Sequence, residues 1–204
     1  MKKWLTGILF LFMCLFLTGC GSVEPEKRAF PLIISIDYDS GYEVIFGIPD
    51  LSRSTGQIKR ENVQNELNLR NVYKGNTFPE IEEKFGKSQE NYLDLGHIKV
   101  ILMGKGLLEN KEALTKMLAY LEGNPDIAGN IYVFSSEQIR EVMALNGNEI
   151  DSLGDYLTGI LENKPKKDTK NQVLLQDLYN AWHNEDEFPD LPLVKLEGNQ
   201  IMIE

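Results

Sequence analysis

Histidine and carboxylate side chains are the first candidates for chemistry, because they bind metals and act as general acids and bases. The chain has only two histidines, His97 and His183, and no His-Glu-x-x-His pattern gives either a partner ligand. Asp37 and Asp39 lie two residues apart at a predicted strand end, where turn acids are far commoner than the paired carboxylates of a glycosidase. These residues therefore predict neither a catalytic site nor a metal site.

Two further segments match ligand-binding loops only in part. Residues 104–106 are Gly-Lys-Gly, but a phosphate-binding Gly-x-x-x-x-Gly-Lys-Ser/Thr loop would need glycine where Lys99 stands. Residues 185–187 are Glu-Asp-Glu and lack the alternating acids and distant glutamate of a calcium loop. We interpret the first segment as a turn that ends a strand and the second as a solvated surface. The sequence thus predicts a protein that is not an enzyme and has no cofactor.

The cysteines point to a different chemistry, attachment to lipid. A short basic start and an apolar run over residues 4–17 have the anatomy of a secretory signal peptide, and the run is short for a membrane span. Residues 17–20, Leu-Thr-Gly-Cys, look like a bacterial lipobox. That likeness implies that residues 1–19 are removed and that Cys20 is acylated on sulfur; a simple transmembrane anchor is the alternative. Cys14 would leave with the leader, so no thiol would remain for a disulfide or a nucleophile.

The charge balance limits the partners. The 204 residues carry 31 acids and 21 bases, a net charge of −10, and contain no dense basic run. A phosphate backbone requires clustered lysine and arginine, so the sequence predicts no binding to nucleic acid. An acidic body is also repelled by anionic lipid heads, so attachment to membrane lipid would depend on the acyl chains at Cys20. We predict that residues 20–28 form a short tether and that residues 29–204 form one domain.

Predicted strands and helices alternate along the chain. Apolar, β-branched runs predict strands, and two of them form an early hairpin with a loop of about five residues over 37–41. The predicted strands are 32–36, 42–48, 69–73, 98–103, 131–134 and a final hairpin of 191–196 and 201–203.

Helices are predicted where a capping residue precedes apolar residues at helical spacing. The predicted starts are Thr77 with Glu80, Asn110, Ser135 with Ser136, Ser152 with Asp155, and Thr169 with Gln172. The β–α–β order of residues 98–134 fits a single crossover unit. We therefore expect an α+β fold, a mixed β-sheet with helices packed on it. Its predicted core consists of Val100, Leu102, Leu114, Leu118, Val133 and Leu157.

Several motifs together resemble a known family. The lipobox is followed by Glu-Lys-Arg at 26–28, by Ser-Ile-Asp at 35–37, and by Gly-Tyr-Glu-Val at 41–44. Residues 95–104 and the Gly-Asn-Pro-Asp-Ile segment at 123–127 follow in order. This set resembles the N-terminal domain of the Ger(x)C family, the lipoprotein C subunits of spore germinant receptors.

The resemblance implies a membrane-anchored subunit without catalysis, which contacts the multi-pass A and B subunits of a germinant receptor and supports nutrient-triggered germination. It implies a location on the outer face of the cell or spore inner membrane. Two departures are the Gly-Ser-Val that follows Cys20 and the expected absence of later family domains. The alternative is a free-standing envelope lipoprotein that acts as a solute-binding or structural module.

Overall fold

The structure is a computed structural model that describes most of residues 24–204. It describes Trp4, Leu69 and the ranges 24–49, 71–163, 172–198 and 200–204. Three predictions fall wholly or partly outside this description. They are the lipobox with Cys20, the predicted strand 69–73 at residue 70, and the predicted cap Thr169.

The described strands are β1 (Arg28–Ala29), β2 (Ile33–Tyr38), β3 (Tyr42–Gly47), β4 (Val72–Gly75), β5 (Tyr92–Leu93), β6 (Val100–Gly104), β7 (Tyr132–Ser136), β8 (Val194–Glu197) and β9 (Gln200–Ile203). A five-stranded sheet in the order β4-β3-β2-β6-β7 forms the centre of the domain. Two smaller pairs are β1 with β5 and β8 with β9.

The early hairpin is confirmed, with a tighter loop than predicted. Strands β2 and β3 are antiparallel, and their register continues to the pair Tyr38 and Tyr42. The loop therefore has three residues instead of five, because Asp37 and Tyr38 are ladder residues of β2. Strand β4 pairs with β3 in register from Val72 to Gly75, so it begins three residues later than the predicted strand.

Parallel pairing dominates the other half of the sheet. Strand β6 lies parallel to β2 on one side and to β7 on the other. Because parallel neighbours need a crossover, the chain between β6 and β7 forms helices that cover one face of the sheet. The predicted β–α–β unit is thus confirmed.

Six α-helices are described, and three of the predicted caps begin them. The Oγ of Thr77, the Oδ1 of Asn110 and the Oγ of Ser152 each accept the backbone N–H three residues later. The helices are α1 (Phe78–Ser88), α2 (Lys105–Glu109), α3 (Lys111–Gly123), α4 (Ile139–Ala144), α5 (Leu153–Glu162) and α6 (Leu175–His183).

Two predicted starts differ from the structure. Ser136 is a buried residue of β7, and its hydroxyl donates to the carbonyl of Val194 at 2.8 Å, so helix α4 begins only at Ile139. Helix α6 begins at Leu175, later than the predicted start, and the Asp177 carboxylate accepts the N–H of Leu174 at 2.8 Å. In the first case the hydroxyl that was predicted to cap the helix binds a residue of β8 instead.

Residues 104–106 are also reassigned. They are not the turn that their glycines predicted, because β6 ends at Gly104 and helix α2 begins at Lys105 without an intervening loop. Gly104 is the N-cap of α2, and its extended backbone joins strand to helix.

The core lies on both faces of the sheet. Successive strand residues alternate, so Ile34 and Ile36 pack with α1, α3 and α6, while Ile33 packs with α4 and α5 on the other face. All six predicted core residues are buried, although they are divided between these two layers. Helices on both faces of a mixed sheet confirm the α+β prediction.

Candidate functional site

The N-terminal end of the domain is held by regular structure. Residues Pro25–Lys27 form a 3-10 turn, and Arg28 begins β1 in parallel register with Tyr92 of β5. Part of the segment assigned to the tether is therefore ordered against the domain. Only residues 21–23 separate Glu24, where the continuous description begins, from the predicted lipidation site Cys20.

An ion pair fastens this end to the domain. The Arg28 Nη1 lies 2.7 Å from Oδ2 of Asp94, and the backbone N–H of Asp94 donates to the carbonyl of Ala29 at 3.0 Å. The other carboxylate oxygen of Asp94 accepts the N–H of Gly96 at 3.0 Å. Burial alone would raise the pKa of Asp94, but the hydrogen bonds from Arg28 and Gly96 outweigh it and hold this pKa below its ordinary value.

His97 belongs to the same arrangement. Its Nδ1 lies 3.7 Å from Oδ1 of Asp94, and its ring meets Phe30 edge-on with centroids 4.7 Å apart. We call Arg28, Phe30, Asp94 and His97 the N-terminal clasp. Arg28 and Asp94 were not predicted as a pair, although an aspartate two residues before a glycine is a signal for a side chain that accepts a nearby N–H.

The second polar region lies where β2, β4 and β6 end. Here the Asp37 carboxylate accepts the backbone N–H of Leu107 at 3.1 Å and that of Tyr38 at 2.9 Å. Leu107 lies in the first turn of α2, so Asp37 satisfies a backbone donor that the helix leaves free. Asp37 and Asp39 do not form a catalytic pair, because Asp37 serves the backbone and Asp39 is exposed in the turn.

The two glycines at residues 104–106 allow this approach. A Cβ on Gly104 would lie 2.2 Å from the carboxyl group of Asp37, and a Cβ on Gly106 would lie 2.1 Å from the carbonyl oxygen of Tyr38. Any larger residue would push α2 away from β2. The Gly-Lys-Gly segment thus serves close packing between strand and helix.

A charged groove of about 450 Å³ opens beside this contact. In its lining, Oε2 of Glu43 lies 2.9 Å from Nζ of Lys74 and 2.5 Å from Nη2 of Arg140. The Nζ of Lys84 lies 2.7 Å from Oε1 of Glu80. Burial alone would raise the pKa of Glu43, but its hydrogen bonds to Lys74 and Arg140 leave this pKa below the ordinary value. The charges of these acidic and basic side chains therefore largely offset one another.

Tyr42 closes the inner side of the groove. Its hydroxyl donates to the carbonyl of Ala113 at 2.7 Å, and its ring packs tilted against Phe78 at 4.9 Å. Burial, with the nearby Tyr38 and Glu112, raises the pKa of Tyr42 to about 12. The Tyr42 phenol is therefore neutral at physiological pH, and its hydrogen bond to Ala113 joins β3 to α3.

The two histidines have separate carboxylate partners. His183, at the end of α6, lies 2.8 Å from Glu122 of α3, whereas His97 faces Asp94. Across the residues that the structure describes, no three His, Cys, Asp or Glu side chains form a group able to hold a metal ion. Residues 185–187 are exposed, as the interpretation of a solvated surface requires.

The helices of the described ranges are short. None of them is long and apolar enough to cross a membrane.

Comparison with known proteins places this architecture in a family. The family model described as the spore germination protein N-terminal domain matches residues 21–196. The searches of curated proteins and of solved structures found no match. The match begins one residue after Cys20 and includes the clasp, the Asp37 contact and the first three residues of β8. The chain therefore belongs to the Ger(x)C family of spore germination proteins, as an N-terminal domain.

Proposed function

We propose that this protein is a lipid-anchored, non-enzymatic subunit of a spore germinant receptor that supports nutrient-triggered germination through contacts with multi-pass receptor subunits. The observation that carries the proposal is the family match over residues 21–196, which directly follows a lipobox ending in Cys20. Membership of the family indicates a role in spore germination, and the lipobox indicates attachment to the membrane through lipid.

The polar side chains that could have indicated catalysis have structural partners. Asp37 accepts backbone N–H groups, Tyr42 donates to a carbonyl, and Glu43 binds two basic side chains. Each of these contacts joins two elements of the fold, so each side chain has a structural role. This supports a function through surface contacts, with no cofactor proposed.

Anchoring would depend on the acylated Cys20. Each buried methylene contributes about 0.8 kcal/mol, so firm attachment requires two or more acyl chains. The acidic body adds no attraction to anionic lipids. The ordered turn and strand after Glu24 would keep the domain close to the outer face of the cell or spore inner membrane, within reach of the extracytoplasmic loops of the A and B subunits.

The variant Cys20→Ala tests the anchor. We expect it to lose acylation and either to leave the membrane fraction or to retain its leader. Cys14→Ala is the matched control, because it changes the other cysteine, which lies within the leader, and should leave processing unchanged. Normal processing together with full membrane retention of Cys20→Ala would contradict the anchor.

The partner is tested in spores. We expect the wild-type protein to co-purify with a multi-pass receptor subunit from solubilised spore membranes, and a deletion strain to germinate late. Contact energy in such interfaces comes mainly from a small apolar cluster, while acidic rim residues change the association rate and its salt dependence. Failure to recover a receptor subunit, combined with normal germination of the deletion strain, would favour the free-standing envelope lipoprotein.

A further inference from the structure

The β1–β5 pair presents one aromatic side chain to solvent. Tyr92 is 63% exposed, more than any other large hydrophobic residue described from Glu24 onward. It stands in parallel register with Arg28, so the two side chains leave the same face of the pair, whereas the next residue, Ala29, is buried. A single exposed tyrosine is common on protein surfaces, so whether it marks a contact site depends on its position.

That position is the end of the domain nearest to the proposed anchor. Four residue steps separate Glu24 from Cys20, and a fully extended chain covers about 3.5 Å per residue, or about 14 Å in all. The 3-10 turn then leads directly to β1, and the clasp between Arg28 and Asp94 keeps this strand from detaching. An acylated Cys20 therefore holds the β1–β5 pair next to the lipid headgroups.

The local charges favour a tyrosine contact over an electrostatic one. The Nζ of Lys27 lies 2.8 Å from Oε2 of Glu24, and Nη1 of Arg28 lies 2.7 Å from Oδ2 of Asp94. Both of these cationic side chains are therefore paired with carboxylates. Their attraction to anionic lipid is correspondingly weak. A tyrosine ring, by contrast, suits the membrane interface because its body is apolar and its hydroxyl remains hydrated.

We infer that the β1–β5 end of the domain docks on the bilayer surface, with the ring of Tyr92 among zwitterionic lipid headgroups. The contact fixes the orientation of the domain above the membrane. It directs the opposite end of the sheet, with the Asp39–Gly41 turn, away from the lipid. The inference rests on the proposed acylation of Cys20.

A fluorescent probe on the mature lipoprotein tests this orientation. With Cys14 removed and Cys20 acylated, Glu90→Cys introduces the only free thiol, which can carry an environment-sensitive dye. Glu90 is exposed and lies two residues before Tyr92, so this variant keeps the tyrosine ring. Ser40→Cys is the matched control, because Ser40 is exposed in the turn beyond β2, whose six residues span about 20 Å. Both labelled proteins are reconstituted in phosphatidylcholine vesicles, with and without a headgroup-level nitroxide lipid.

The expected result is a blue shift and nitroxide quenching for the dye at position 90, and neither effect at position 40. Vesicles that carry both proteins with equally aqueous dyes would overturn the docking while leaving the lipid anchor intact. Failure of the proteins to float with vesicles would overturn the anchor, and the docking with it. A dye at position 90 that is aqueous on vesicles but shielded in spore membranes would assign Tyr92 to a protein partner and overturn the lipid contact.

Discussion

The carboxylate of Asp37 accepts the backbone N–H of Leu107 at 3.1 Å, across 70 residues of chain. The contact joins the end of β2 to the first turn of α2. It brings together two segments of the family resemblance, the Ser-Ile-Asp at 35–37 and residues 95–104, which end at Gly104. These motifs lie far apart in the sequence and form one packing unit in the fold.

Replacing Asp37 should destabilise the domain through this unit. Asp37→Ala leaves the N–H of Leu107 without its acceptor, and loss of a helix-capping acceptor costs about 0.5–2 kcal/mol. Chemical denaturation at neutral pH measures the change in the free energy of unfolding. Asp39→Ala, in the exposed turn, is the control and should change this free energy by less than about 0.5 kcal/mol. Equal effects of the two variants would show that the Asp37 contact adds no stability.

The fit between Asp37 and Gly104 predicts a clash on adding one carbon. Gly104→Ala places a Cβ 2.2 Å from the Asp37 carboxyl group, so the strand and helix must separate. We expect the free energy of unfolding to fall by about 1–3 kcal/mol, as for other overpacked cores. Gly86→Ala is the matched control, because nothing lies within 4 Å of the added carbon and alanine favours the helix by about 0.5–1 kcal/mol. Melting temperatures of the two variants should therefore move in opposite directions.

The buried face of α3 predicts a large effect from a single truncation. Leu118 is fully buried against the sheet, so Leu118→Ala should cost about 2–5 kcal/mol through lost contacts and a cavity. Leu108→Ala, at a leucine of α2 that is 36% exposed, should cost clearly less. Urea titration of both variants decides the point, and similar midpoints would reject the packing of α3 on this face.

The clasp predicts a dependence of stability on pH. Because the folded-state pKa of Asp94 lies below its ordinary value of 3.8, the ionised carboxylate stabilises the folded domain above that pH. This stabilisation is lost as the pH falls through the lower, folded-state pKa. Asp94→Asn should therefore be less stable than the wild type at pH 7, and the difference should shrink on going to pH 3.

Asp39→Asn, in the exposed turn, is the control for that comparison. It should follow the pH profile of the wild type. A constant difference between the wild type and Asp94→Asn from pH 7 to pH 3 would show that the charge of Asp94 does not stabilise the clasp.

Local sequence was sufficient for much of the secondary structure. Thr77, Asn110 and Ser152 cap their helices as predicted, because capping depends on a side chain and an N–H only three residues apart. The hairpin of β2 and β3 was also predictable from two apolar runs around a polar turn. Ser136 shows the limit of such signals, since its hydroxyl donates to Val194 in the final hairpin instead of beginning a helix.

The α+β class, six residues of the core and the family resemblance were predictable without a structure, because periodicity, caps and motifs are properties of neighbouring residues. The fold was needed to show which core residues face each side of the sheet, that Asp37 contacts Gly104 and Leu107, and that Arg28 pairs with Asp94. Each of these contacts joins residues that strand order and crossover connections bring together. Local spacing carries no information about which distant group will satisfy a buried or half-buried charge.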